Sequence, residues 1–290
     1  MNVRKFGAAA TAVAAVIATQ ALVQLAGAAP ASALPGLQVV SVASGFDSLA
    51  SKSITANCPA GKKVVGGGGR VNAAGGKAGV TELSPVTGTI DGFKATGFET
   101  DNGFAGTWSI QAYAICANPI TGLQVVSKTK APSSSDFQLE AIGCPTGKRV
   151  IGTGARINNP AGQVALQAKG TNNPDATFGS VSAYEDIDGF SGNWGLTAFA
   201  ICLPNPIAGF SIASASSSWN SDALKIVNVS CPAGTKVHDI MFSTGAGNGD
   251  PVLDALVPTN ALPTSAQAIV REETGTTENW SVMVQAICAA

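Results

Sequence analysis

The stretch CPAGKKVVGGGGRV, residues 58–71, returns as CPTGKRVIGTGARI at 144–157 and as CPAGTKVHDIMFST at 231–244. Taken alone, its four glycines suggest a phosphate-binding loop. Such a loop leads into a helix whose free N–H groups grip the anion, with a Gly-Lys-Ser or Gly-Lys-Thr close behind. Here Gly66 to Gly69 run into Arg70, Val71 and Asn72, and neither that tripeptide nor a Gly-x-Gly-x-x-Gly spacing is present. The stretch therefore reads as a turn followed by a strand. Pro59 is expected at the second turn position, Gly61 at the position of positive φ, and Lys63, Val64 and Val65 open the strand.

Working outward, every copy of this stretch has a closing partner. Cys116, Cys202 and Cys288 each end Ala-Ile-Cys, and Trp108, Trp194 and Trp280 each stand eight residues before that cysteine. GLQVVS at Gly36 recurs at Gly122 and, as GFSIAS, at Gly209. The period is 86 or 87 residues, which divides the chain after residue 33 into repeats 34–118, 119–205 and 206–290. Each closing strand carries an apolar face, Trp108, Ile110, Ala112, Ala114 and Cys116 in the first copy, which predicts core there. In the first repeat strands are expected near 37–43, 53–58, 63–71, 79–83, 92–99 and 108–116. With few charges and almost no helix-period pattern, the fold class is all-β. The joints, Asn118-Pro-Ile-Thr-Gly and Asn205-Pro-Ile-Ala-Gly, are too short for flexible linkers. The repeats are therefore expected to share one body; three tandem small β-sandwiches are the alternative.

Residues 1–33 read as an export signal: Arg4 and Lys5, an apolar run, then Ala31-Ser32-Ala33 as a cleavage site. No membrane span is expected after cleavage, and the protein is expected to be secreted. Six cysteines in an exported chain should be oxidised. Repeat symmetry leaves two pairings. One is internal: Cys58 with Cys116, Cys144 with Cys202, Cys231 with Cys288. The other staples neighbours: Cys116 with Cys144, Cys202 with Cys231, Cys288 with Cys58. The internal set is expected, since each unit could then close without waiting for the next. No close Cys-x-x-Cys spacing points to a metal, and neither metal nor cofactor is expected.

Beyond the basic start, 15 basic residues face 18 acidic ones, and the excess acid falls in the third repeat. This argues against nucleic-acid binding, which needs a basic stripe. His238 is the lone histidine and no Gly-x-Ser-x-Gly accompanies it, so a triad hydrolase has little support. Gly66 and Gly68 align with Gly152 and Gly154, on one strand face with Arg70 and Arg156. A bulky side chain, such as a repeated tryptophan, could cover that bare backbone. Alternatively, glycine and arginine could floor a shallow ligand groove. The third copy puts Asp239 and Met241 in place of the glycines and gathers His238, Asp250, Asp254, Glu272 and Glu273. Drift at the end of a stack explains that, and a specialised site is the rival. The acids of ETDNG (99–103) and EDIDG (185–189) shift between copies and read as solvated turns, not calcium ligands. Trp219, among serine, asparagine and aspartate, is a reasonable platform for a sugar ring.

The Cys-Pro-x-Gly, tryptophan and Ala-Ile-Cys pattern resembles a group of exported three-repeat proteins of high-GC Gram-positive bacteria. More distantly, Cys-Pro-x-Gly opening a strand in a three-fold all-β chain resembles the vitelline membrane outer layer protein I family. That resemblance implies a β-prism of three Greek-key units, and implies architecture only. The functional expectation is a secreted non-catalytic protein that binds extracellular polysaccharide or cell wall, or contributes to the cell-surface layer. Trp219, Arg70, Arg156, Gly66, Gly68, Gly152 and Gly154 are its candidate binding residues. One alternative is a secreted hydrolase working through carboxylates of the third repeat. Another is an inhibitor or toxin that presents a loop such as 158–162 or 244–250 to a protein partner.

Overall fold

The computed structural model describes residues 34–245, 250–261, 263–275 and 277–290; the export-signal reading of 1–33 lies outside the described residues. The first repeat forms β1 (Gln38–Ala43), β2 (Ser51–Asn57), β3 (Lys63–Asn72), β4 (Ala78–Val86), β5 (Gly92–Glu99) and β6 (Ser109–Ala117). The second forms β7 (Gln124–Thr129), β8 (Phe137–Gly143), β9 (Lys148–Asn158), β10 (Val164–Thr171), β11 (Phe178–Glu185) and β12 (Gly195–Pro204). The third forms β13 (Ser211–Ser216), β14 (Leu224–Ser230), β15 (Lys236–Gly245), β16 (Pro251–Pro258), β17 (Ser265–Glu272) and β18 (Ser281–Ala289). Six strands per repeat match the expected spacing. Among the described residues no helix is long and apolar enough to cross a membrane.

The strands pair into three six-stranded antiparallel sheets, and each sheet is shared by two repeats. The first runs β1-β6-β3-β16-β17-β14, the second β13-β18-β15-β10-β11-β8 and the third β2-β5-β4-β9-β12-β7. Every repeat thus gives three strands to one sheet and three to another. The three exchanges close a ring, as a three-repeat β-prism-like body requires, and no repeat is terminal. The idea that the third copy drifted because it ends a stack fails for that reason. Separate sandwiches fail too, since β3 pairs with β16 through Gly69 and Leu256, at opposite ends of the chain.

The disulfides follow the internal pattern, Cys58–Cys116, Cys144–Cys202 and Cys231–Cys288. The expected reason for that pattern needs correction. β2 and β6 belong to different sheets, so the bridge joins two sheets at a corner; it does not seal an independent unit. Closing about 58 residues of chain contributes about 4 kcal/mol per bridge against the unfolded state. The Cys-Pro turns bring one further correction. Lys62 N–H donates to Pro59 O (3.0 Å), which makes Pro59 the first turn residue, while Gly61 takes φ of 79° as expected.

Burial follows the alternation. Trp108, Ile110, Ala112, Ala114 and Cys116 are fully buried, as are their counterparts from Trp194 to Cys202 and Trp280 to Cys288. Each repeat also places one bulge residue in its glycine-bearing strand, Val65, Ile151 and His238, and all three are buried. Just past that bulge the strands from the three repeats meet. A Cβ on Gly66 would lie 2.0 Å from His238 O, and one on Gly152 would lie 2.2 Å from Val65 O. Glycine stands there because another backbone occupies the place of a side chain. The tryptophans lie elsewhere: Trp108 packs over Gly97, not over Gly66 or Gly68.

Candidate functional site

Strand register separates two ends. The turns opened by Cys58, Cys144 and Cys231 lie at one end with the bridges. At the other end lie the segments 44–50, 73–77 and 100–107 of the first repeat and their counterparts, because Asn72 pairs with Ser109 and Ala78 with Glu99. This loop end holds exposed Trp219 and a cluster of acidic side chains.

Its floor is structural. Trp108, Trp194 and Trp280 donate their indole N–H to Glu99 (2.9 Å), Glu185 (2.8 Å) and Glu272 (2.8 Å). Lys52 and Lys225 lie 4.8 and 4.9 Å from the centres of the Trp108 and Trp280 rings. In the second repeat Gln138 takes that place and donates to Trp194 O at 2.7 Å. A buried carboxylate thus satisfies each indole N–H. Glu99 and Glu185 head the two stretches read as solvated turns, and the structure buries them instead; each stands nine residues ahead of its tryptophan, and Glu272 eight ahead, a signal that was readable in the sequence.

Above that floor, Thr100, Asp186 and Glu273 hold equivalent positions. Their N–H groups donate to Lys77 O, Gln163 O and Asp250 O, each in the segment that leads into the fourth strand of its repeat. All three line a narrow axial gap that also includes Val80, Leu166 and Val252. A cleft of about 170 Å³ beside it brings together Asp101, Asp186, Asp188, Asp250 and Glu273. One oxygen each from Asp101, Asp186 and Asp188 lies within 4.8 Å of the others. Burial, a hydrogen bond to Asp188, and the charges of Asp188, Asp101 and Glu273 push the Asp186 carboxyl up to about 8. Acids that shift between aligned copies do not stay apart in this fold: they come from different repeats and meet around the axis.

No family model matches the chain, and no curated protein matches it. The site is therefore read from its geometry.

Trp219 is 58% exposed, in the loop between β13 and β14, with its ring edge over Gly245. Beside it Asn220 donates to Asp222 at 2.7 Å. Phe46, at the same offset in the first repeat, is 61% exposed. The two arginines are not brought together. Arg70 stands in the first sheet, while Arg156 stands in the third and donates to Asn158 and Thr197. Gly66, Gly68, Gly152 and Gly154 are buried, with a neighbouring repeat's backbone or side chains over Gly66 and Gly68 and over Gly152 and Gly154 alike. Of the loops named for a protein partner, 246–249 lie outside the described residues.

The acids of the third repeat part company. Asp239 is fully buried against Lys169 (3.0 Å), and Asp254 pairs with Arg271. Burial pushes the Asp254 carboxyl up, opposed by Arg271. His238 is buried too: its Nδ1 donates to Lys236 O at 2.9 Å and its Nε2 has no hydrogen-bond partner. Burial lowers the His238 pKa from 6.5 to about 4. The unfolded chain therefore binds a proton below pH 6.5 that the folded chain refuses until about pH 4. Stability supplied by neutral His238 is present above pH 6.5 and lost as pH falls to 4. Denaturant titrations of wild type and His238→Val at pH 7 and pH 4 should show the wild type losing about 3 kcal/mol more than the variant. Equal losses would mean that His238 is not held neutral.

Proposed function

We propose that this is an exported, non-catalytic protein that binds extracellular polysaccharide through the loop end of its prism. The observation that carries the reading is Trp219, a large aromatic 58% exposed at that end. The indole edge rests on Gly245, and a hydrogen-bonded amide and carboxylate stand beside it. A flat apolar face with polar groups at its rim suits a sugar ring, whose C–H face stacks while its hydroxyls reach the rim. Three formed disulfides suit an oxidising compartment.

A non-catalytic role is favoured over a hydrolase because three of the repeat-three acids first suspected of chemistry are already engaged. Asp239 is sealed, Asp254 is ion-paired and Glu272 holds an indole. The test is retention of the purified protein on insoluble chitin, cellulose and bacterial cell wall, with Trp219→Ala alongside. Saturable retention on at least one matrix, reduced at least tenfold in the variant, is expected. Absence of retention on every matrix, or retention that the variant keeps, would overturn the reading.

A further inference from the structure

The cleft at the loop end contains five carboxylates from all three repeats: Asp101, Asp186, Asp188, Asp250 and Glu273. Among the described residues none of them forms an ion pair with a lysine or arginine; Lys77 Nζ, the nearby cation, donates to the main-chain oxygen of Glu273 instead. Asn102 donates to Asp101 and Glu273, both at 3.0 Å. An acidic cluster on a surface needs nothing more than water. Asp250 is a different matter. It is only 2% exposed, its Oδ1 accepts from the N–H and hydroxyl of Thr274, and its Oδ2 is buried without a hydrogen-bond partner among the described residues. A buried carboxylate oxygen without a donor, in a residue that lines the cleft, lacks the compensation such groups require.

We propose that this cleft is a calcium site, with Asp101, Asp186 and Asp188 as ligands and the buried Asp250 completing its acidic wall. The donor set is all oxygen, which selects a hard cation over zinc or copper. One oxygen from each of the three aspartates lies within 4.8 Å of the others, close enough to share one ion. Magnesium demands near-ideal octahedral geometry and gives up its water reluctantly, whereas calcium accepts an irregular set of carboxylate oxygens, which favours calcium here. The cleft volume leaves room for bound water to complete the coordination shell. Asp101 belongs to the first repeat and Asp186 and Asp188 to the second, so the ion would tie two repeats at the end without disulfides. This inference does not depend on polysaccharide binding.

The test is calorimetric titration of the chelator-treated, disulfide-bonded protein with calcium chloride, alongside thermal unfolding. One ion per chain is expected, with a Kd below about 1 mM and a midpoint that rises a few degrees at saturation. Magnesium should bind at least tenfold more weakly. Asp188→Asn, at an exposed position, should lower calcium affinity at least tenfold, and Asp175→Asn at the opposite end should leave it unchanged. Four outcomes would overturn the proposal: no saturable binding up to about 10 mM, equal affinity for magnesium, an unaltered Asp188→Asn, or an Asp175→Asn weakened as much as Asp188→Asn.

Discussion

Lys169→Leu is expected to lower the free energy of unfolding by about 3–5 kcal/mol, although leucine is the residue that the other two repeats carry at this position. The pairing register makes the equivalence plain: Leu83 faces Ala155, Leu256 faces Gly69 and Lys169 faces Phe242. Lys169 and Asp239 are each completely buried, with Nζ at 3.0 Å from Oδ2 and 2.6 Å from Ile240 O. Asp239 in turn accepts from the N–H and hydroxyl of Thr153, at 2.8 and 2.6 Å. Burial pulls the Lys169 pKa down, and the Asp239 carboxylate pulls it back. Removing the lysine alone leaves a carboxylate in the core without a cation. Asp239→Gly alone, which restores the residue of the other two copies, leaves the ammonium stranded at similar cost. The double variant Lys169→Leu/Asp239→Gly returns the junction to the pattern of the other two and should recover most of the loss. A denaturant-unfolding cycle of the four proteins measures this. Single variants that each cost under 1 kcal/mol would show that the two charges are not coupled in the core.

That pair also marks the boundary of what the sequence could tell. Asp239 was visible, because the glycine-bearing strands align through their cysteines and the aspartate interrupts a glycine position. Lys169 was not, because it lies in a strand with no cysteine or tryptophan landmark and among residues that look solvated. The six strands and three bridges were legible because the period repeats them three times. The exchange of half-sheets was not. Alternation says which residues face inward, and it says nothing of which strand lies alongside when the partner is nearly the whole chain away. The meeting of the loop-end acids was not legible for a related reason: comparing copies tests whether a ligand recurs within each repeat, whereas Asp101, Asp186 and Asp188 meet across two.

Gly66→Ala is expected to cost about 3 kcal/mol or more, the upper range for overpacking, for the addition of one methyl group. Most strand glycines gain from alanine, which loses less conformational freedom on folding. Here the methyl would sit 2.0 Å from His238 O and 2.9 Å from the Asp239 side chain. The obstacle is backbone, held by the β15–β18 ladder, and it has no rotamer into which to retreat. Relief would require the first and third repeats to move apart at the axis, which would disturb Asp239 and through it Thr153 of the second. Gly152→Ala should behave alike, since its methyl would meet Val65 O at 2.2 Å. Gly143→Ala is the control, because nothing lies within 4 Å of its Cβ position and its φ is not positive. Chemical denaturation should leave Gly143→Ala within about 1 kcal/mol of wild type. If Gly66→Ala proved equally benign, the repeats would not be in backbone contact at the axis, and the closed ring of exchanged half-sheets would lose the feature that explains its glycines.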